Sequence, residues 1–239
     1  MKLPLFYNAT VTPGDSTTML DEVTSKHVIQ VLRMQLSQQL QLTDGKGNLF
    51  VAAIVDDNRK RCAVQILSVM YHARPSRNAV IAISPVKNNS RFEWFVEKAT
   101  EIAVTGIVPL LCERTEKTQF KWERLQNIVV SAMLQSQQVW LPRLHEAVKF
   151  ETYVQSLKNE AGIEKYIAHC EDENHKNSLR SHAANTATKQ VILIGPEGDF
   201  TKSEIGSAIA AGFVAVTLGD TRLRTETAGI VAATILTAR

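Results

Sequence analysis

Residues 191–228 read VILIGPEGDFTKSEIGSAIAAGFVAVTLGDTRLRTETA, and the order of signals within this stretch decides the fold. Two apolar, strand-like runs, Val191–Ile194 and Phe213–Leu218, each empty into a loop of glycine, proline, charged and hydroxyl residues. Between them, Thr201-Lys202-Ser203-Glu204 has the pattern of a capping box, in which a hydroxyl and a carboxylate satisfy free amides of a first helical turn. It predicts a helix running to about Ala211 and stopped by Gly212. A second helix over Thr225–Ala238 carries Ile230, Val231, Ile235 and Leu236 on an alanine-rich background. Such alternation belongs to an α/β sheet, whose ligands sit at the carboxyl ends of the strands. Gly195, Gly198 and Gly219 would let a flat ligand approach the main chain there.

The same alternation extends upstream. Val80–Ser84 and Ile107–Leu111 read as strands, and Arg91–Val104 places Phe92, Phe95, Val96, Ala99, Ile102 and Ala103 on one helical face. Trp122–Trp140 is expected as a second amphipathic helix, burying Leu125, Ile128, Val129, Ala132 and Met133 and ending at Leu141-Pro142. Lys165–His169 is a further strand, and the polar segment Glu171–Lys189 reads as a long surface loop with some helix. The sum is a mostly parallel sheet covered on both faces.

Residues 1 to about 72 have a different pattern. Leu5–Tyr7, Leu40–Thr43, Leu49–Val55 and Cys62–Val69 are short strand candidates, and Asp44-Gly45-Lys46-Gly47 is a strong turn signal. One helix is expected over Val23–Met34. Short strands with tight turns predict a small barrel. The polar, proline-bearing Tyr71–Ala79 is the linker candidate, with a boundary near residue 74.

Composition narrows the function classes. Of 239 residues, 44% are hydrophobic and 21% charged, the balance of a globular protein, and the net charge of +3 permits a polyanionic partner without demanding one. Cys62, Cys112 and Cys170 are odd in number and far apart, with no CxxC and no histidines at ligand spacing, so reduced thiols and no metal are expected. MKLPLFYNAT makes a poor signal peptide, and the longest apolar run near a motif, Ala208–Val216, is far shorter than the roughly 20 residues that span a bilayer. A cytoplasmic protein with no membrane contact is the expectation. A GxGxxG turn, which would argue for a dinucleotide-binding sheet, is absent.

IGPEG (Ile194–Gly198), then a capped helix, a strand and LGDTRLRTETA (Leu218–Ala228) closely resemble the C-terminal signature of the RsmE family. These are SPOUT-class methyltransferases that act on N3 of a uridine in 16S ribosomal RNA. HVIQVLR (His27–Arg33), Lys87, EKATEIAV (Glu97–Val104) and CERTEKT (Cys112–Thr118) extend the resemblance over nearly the whole chain. It implies a PUA-like RNA-binding β-barrel domain over residues 1–73 and a SPOUT domain over 74–239 with a C-terminal trefoil knot. It also implies S-adenosyl-L-methionine as methyl donor, 16S rRNA or the small ribosomal subunit as partner, and a homodimer, with the final helix and Trp122–Trp140 as suspected faces.

The resemblance places Ile194, Gly195, Pro196, Glu197, Gly198, Leu218, Gly219, Leu223, Arg224, Thr225 and Thr227 around the cofactor. Catalysis would fall to Arg224 as cation, with Glu226 or Glu197 as proton acceptor, because N3 of uridine is mostly protonated at neutral pH. Arg33, Arg59, Lys60, Arg61, Lys87, Arg91 and Arg114 are the expected RNA contacts, by charge to phosphate. The sequence departs from the family in two places. Leu134-Gln135 stands where many members have Glu-Gln, with Gln138 where a basic residue is expected, and Asp199 replaces the usual second glycine of GPEGGF. A non-catalytic RNA-binding protein of the same fold, and a SPOUT 2′-O-methyltransferase acting on other RNA, remain alternatives.

Overall fold

In the computed structural model, which describes residues 3–171, 176–182 and 189–238, the chain groups into two units. Met1–Arg74 with Met133–Leu141 form one, and Pro75–Ala132 with Pro142–Arg239 the other.

The first unit is built on β1 (Leu5–Tyr7), β2 (Thr17–Met19), α1 (Glu22–Lys26), β3 (Gln39–Thr43), β4 (Asn48–Asp56) and β5 (Ala63–Tyr71). Its five strands take the order β1-β3-β4-β5-β2. Period-two alternation sends Leu40, Leu42, Phe50, Ala52, Ile54 and Val64 into one core. The predicted β3–β4 turn forms because Asp44 Oδ1 accepts from the amides of Lys46 (2.7 Å) and Asn48 (3.2 Å). Gly47 closes it at φ +95°, where a Cβ would lie 2.5 Å from the Trp140 ring. β2 carries no periodic signal and escapes sequence reading. The helix expected over Val23–Met34 is instead the five-residue α1, capped by Asp21, followed by a π-helical turn over His27–Val31. It ends where Arg33 turns left-handed at φ 55°.

The second unit comprises β6 (Asn78–Ile83), α2 (Asn89–Glu101), β7 (Gly106–Leu111), α3 (Trp122–Gln135) as far as Ala132, β8 (Arg143–Leu144), β9 (Val148–Lys149), α4 (Phe150–Leu157) and β10 (Ile163–Ala168). After these come β11 (Asn177–Ser178), α5 (Leu179–His182), β12 (Lys189–Ile194), α6 (Lys202–Ala210), β13 (Val214–Thr217) and α7 (Thr225–Thr237). The sheet order is β11-β13-β10-β12-β6-β7-β8, with β9 also on β7, and every one of these pairs is parallel. One face packs Val80, Ala82, Val108, Leu110, Ile167, Val191 and Leu193 against Phe150, Val154 and Leu157 of α4 and Ile205 and Ala208 of α6. α7 lies along β6 and β12 and packs on α2, covering the other face. Strands buried on both sides explain why these segments read as unbroken apolar runs.

Two expected boundaries move. α3 stops at Gln135 rather than at Trp140, because Gln137 enters the left-handed region (φ 59°) and the Gln138 amide reaches back to Met133 O (2.9 Å). Pro142 lies beyond an end already made. The segment Glu171–Lys189, expected as a loop with some helix, does hold the short helix α5, but it also holds β11 and gives up Lys189 to β12; residues 172–175 and 183–188 lie outside the described residues. Helix α6 starts as predicted: Thr201 and Glu204 form both bonds of the capping box. At its far end Lys165 Nζ donates to Ala211 O (3.0 Å) and to Leu157 O (3.0 Å), fastening the ends of α6 and α4 together.

β12 inserts between β10 and β6, the chain leaves through α6 to β13 beyond β10, and it returns past β12 to lay α7 against β6. Among the described residues, no helix is long and apolar enough to cross a membrane.

Candidate active site

Parallel strands β12 and β13 deliver their two loops to the same edge of the sheet, with β10 between them. The loops are tied at their roots: Thr225 Oγ1, at the start of α7, donates to Gly195 O at 3.0 Å in a buried position. Gly195 is glycine for packing, since a Cβ there would sit 3.1 Å from Phe200 Cδ2. Gly219 takes φ +150° with nothing within 4 Å of a Cβ, so the second loop opens on free space.

That space is two adjoining cavities. One, of about 410 Å³, is walled by Ile194–Glu197, Asp199, Arg222–Glu226, Arg91, Ala168 and Cys170. The other, of about 680 Å³, lies along Val216–Leu223 and Ala168–Glu171. Ala168, Cys170, Arg222, Leu223 and Ala228 line both. Their combined walls bring together Ile194, Gly195, Pro196, Glu197, Leu218, Gly219, Leu223, Arg224 and Thr225, nine of the positions expected around a cofactor. Gly198 and Thr227 line neither cavity; Gly198 instead offers its carbonyl to Arg114 Nη1 (2.6 Å).

Charge gathers at the mouth. Glu226, 8% exposed, faces Arg91 of α2 with Nε 3.8 Å from Oε1. Glu197 Oε1 accepts from the backbone amide of Lys87 (3.1 Å), whose ammonium pairs with Glu116 (3.0 Å) and has its pKa raised by that partner. Lys87, Arg91 and Arg114 therefore stand around the first loop, whereas Arg33, Arg59, Lys60 and Arg61 are exposed residues of the first unit.

Asp199 departs from the glycine expected there, and its backbone explains why glycine suits the position: φ is 62°. Aspartate is among the few side chains that tolerate this region. Its carboxylate accepts from Cys170 N (2.7 Å) and Phe200 N (2.8 Å).

Sequence reading missed Ala168 and Cys170, since β10 reaches the site only through sheet order, and it passed over Arg222 although that residue lies within the second loop. None of the cysteines is poised as a nucleophile. Burial raises the thiol pKa of Cys112 and of Cys170, with Glu204 and Asp199 adding to it, and holds Cys62 at about 11. Among the described residues there is no cluster of side chains that could hold a metal ion.

Comparison with known proteins agrees with this architecture. Residues 73–237 match the family described as RNA methyltransferase domain, and residues 20–67 match the RNA methyltransferase PUA domain. A ribosomal RNA small subunit methyltransferase E from Synechocystis is 31% identical, over 91% of this chain and 72% of its own. A crystal structure of a probable rRNA-methyltransferase from Porphyromonas gingivalis is 38% identical with a TM-score of 0.87, covering 97% of this chain and 95% of that one. The ribosomal RNA small subunit methyltransferase E of Neisseria gonorrhoeae, solved bound to S-adenosyl methionine, is 29% identical with a TM-score of 0.84 over 97% and 95% of the two chains. On the matched domains, their order and the shared fold, this chain belongs to the ribosomal RNA small subunit methyltransferase E family.

Proposed function

We propose that the protein methylates N3 of a uridine in small-subunit (16S) ribosomal RNA, using S-adenosyl-L-methionine. The observation that carries this reading is the pair of tied loops, Ile194–Asp199 and Thr217–Leu223, walling connected cavities at the carboxyl edge of a parallel sheet. The residues suit that donor. An adenosine-sized ligand fits cavities of about 680 and 410 Å³, and the walls combine apolar Ala168, Val216, Leu218 and Leu223 with close-lying backbone at Gly195 and Gly219. When bound, the cofactor supplies an electrophilic methyl carbon.

The chain's own groups do the rest. Thr225 holds the loops in register, so a ligand meets a preformed wall rather than ordering two loops, and alignment is worth effective molarities of about 10⁵–10⁸ M in favourable cases. Arg224 lines the mouth, where a guanidinium beside the uracil oxygens favours loss of the N3 proton. Glu226 receives that proton, being a buried carboxylate on the cavity wall, while Glu197 is occupied with the Lys87 amide. Arg91 stands opposite Glu226, with Nε 3.8 Å from Oε1, and orients that carboxylate on the cavity wall.

Residues 1–73 act as the RNA-gripping module and 74–239 as the catalytic domain, in the cytoplasm where ribosomal subunits are made. Exposed Arg33, Arg59, Lys60 and Arg61 serve phosphate contact on the first, and Lys87, Arg91 and Arg114 on the second. The enzyme works as a homodimer. The outward residues of α7, Thr227, Ile230, Val231 and Thr234, form an uncharged stripe suited to a second copy, and a monomer in light scattering would refute this.

The deciding experiment incubates the purified protein with labelled S-adenosyl-L-methionine and small-subunit RNA from a deletion strain, then analyses nucleosides. Labelled 3-methyluridine is the expected product. Label on a ribose 2′-oxygen, or none at all, overturns the assignment.

A further inference from the structure

We propose that Asp199 is a positioning residue, a clasp that fastens the exit of β10 to the β12 loop and so sets the width of the cofactor cavity. This rests on the function proposed above. Strands β10 and β12 pair in register up to Ala168 opposite Ile194, and beyond that point the ladder ends. The β12 exit turns through Pro196–Asp199, closed by the Asp199 amide on Pro196 O (2.9 Å). The β10 exit continues to Cys170, a residue that lines both cavities.

The Asp199 side chain spans the gap left by the ladder. Oδ2 accepts from the Cys170 amide at 2.7 Å, and Oδ1 accepts from the Phe200 amide at 2.8 Å, so both oxygens of one carboxylate hold main chain. Phe200 is the residue against which Gly195 is packed, with 3.1 Å between its ring and the position a Cβ would take. One side chain thus joins the floor, the β12 turn and the β10 exit. It does so from a left-handed backbone, φ 62°, that glycine would adopt with less strain. Strain kept where glycine would relieve it points to a contribution from the side chain itself. Asp199 also raises the Cys170 thiol pKa after burial, which agrees with a carboxylate facing that loop from the neighbouring strand; Arg222 and Lys176 act in the opposite direction.

The test compares full-length wild type, Asp199→Gly and Asp199→Asn by titration calorimetry with S-adenosyl-L-methionine and by amide hydrogen exchange without it. Asp199→Gly keeps the backbone conformation and removes the clasp. Exchange at the Cys170 amide should rise and cofactor affinity should fall, each by roughly tenfold, the effect of losing a hydrogen bond to a charged group. Asp199→Asn, which retains one carbonyl oxygen, should fall between the two. Wild-type affinity in Asp199→Gly, or weakened affinity with unchanged exchange at Cys170, overturns the clasp. A wild-type protein that binds no S-adenosyl-L-methionine would instead overturn the function, while exchange at Cys170 would still report whether Asp199 holds that loop.

Discussion

Thr225 and Gly195, thirty residues apart in the chain, share a buried hydrogen bond of 3.0 Å from Oγ1 to the carbonyl oxygen. It joins the first turn of α7 to the first residue after β12, so the two site loops are fixed at their roots rather than along their lengths. Thr225→Val preserves shape and leaves the Gly195 carbonyl without its donor, which should cost about 1–3 kcal/mol of stability. Thr225→Ser should restore it. Denaturant unfolding of the three proteins, with cofactor titration alongside, checks both parts; equal stability of valine and threonine variants would remove the bond from the account.

Glu226→Gln separates a proton acceptor from a helix-end charge. As acceptor, its loss should lower methylation at neutral pH by about 10²–10⁴-fold with cofactor affinity unchanged. As a charge at the start of α7 alone, the substitution would change stability by about 0.3–1 kcal/mol and leave methylation intact. Single-turnover rates across pH distinguish the outcomes.

Two helical glycines should respond in opposite directions. A Cβ on Gly229 would lie 2.6 Å from Phe95 Cε2 and 2.7 Å from Ile83 Cδ1, in the close contact of α7 with α2 and β6. Gly229→Ala should therefore destabilise by about 1–3 kcal/mol through overpacking. Gly206 in α6 has nothing within 4 Å of a Cβ, so Gly206→Ala should stabilise by about 0.5–1 kcal/mol. Melting curves of the pair give the comparison.

Cys62 predicts an alkaline limit for the first unit. Burial, aided by Asp56 and Asp57, raises its pKa from 9.0 to about 11, so the folded state prefers the protonated thiol. Its contribution is complete below about pH 9 and is lost as pH climbs to about 11, amounting to about 3 kcal/mol. Wild type should lose stability over that window more steeply than Cys62→Ala; parallel curves would refute the assignment.

How much of this was legible depended on how local each signal is. The capping box of α6 and the Asp44–Gly47 turn lie within a few residues of what they control, and both form as read. The end of α3 depends on the left-handed turn at Gln137, which side-chain pattern does not mark, while Pro142 offered a misleading stop. β2, β8 and β9 run to three residues or fewer and pair through backbone, so they left no periodic trace. Phe150, Val154 and Leu157 did carry helical spacing, but α4 is only eight residues long. Within the site, the two loops could be read from their own composition. The Arg91–Glu226 pair and the Asp199–Cys170 bond could not, because packing of α2 on α7 and the placing of β10 beside β12 create them.

The order in which the sheet's strands appear during synthesis has a consequence for biogenesis. β12, flanked by β10 and β6, enters the chain more than a hundred residues after β6. A nascent polypeptide that has not reached Lys189 therefore holds two raw strand edges with the middle of its sheet missing, a shape prone to mispairing with other chains. Competence to handle a methyl donor should arise abruptly and late, and truncated products should go to proteases or aggregates rather than persist as partial enzymes.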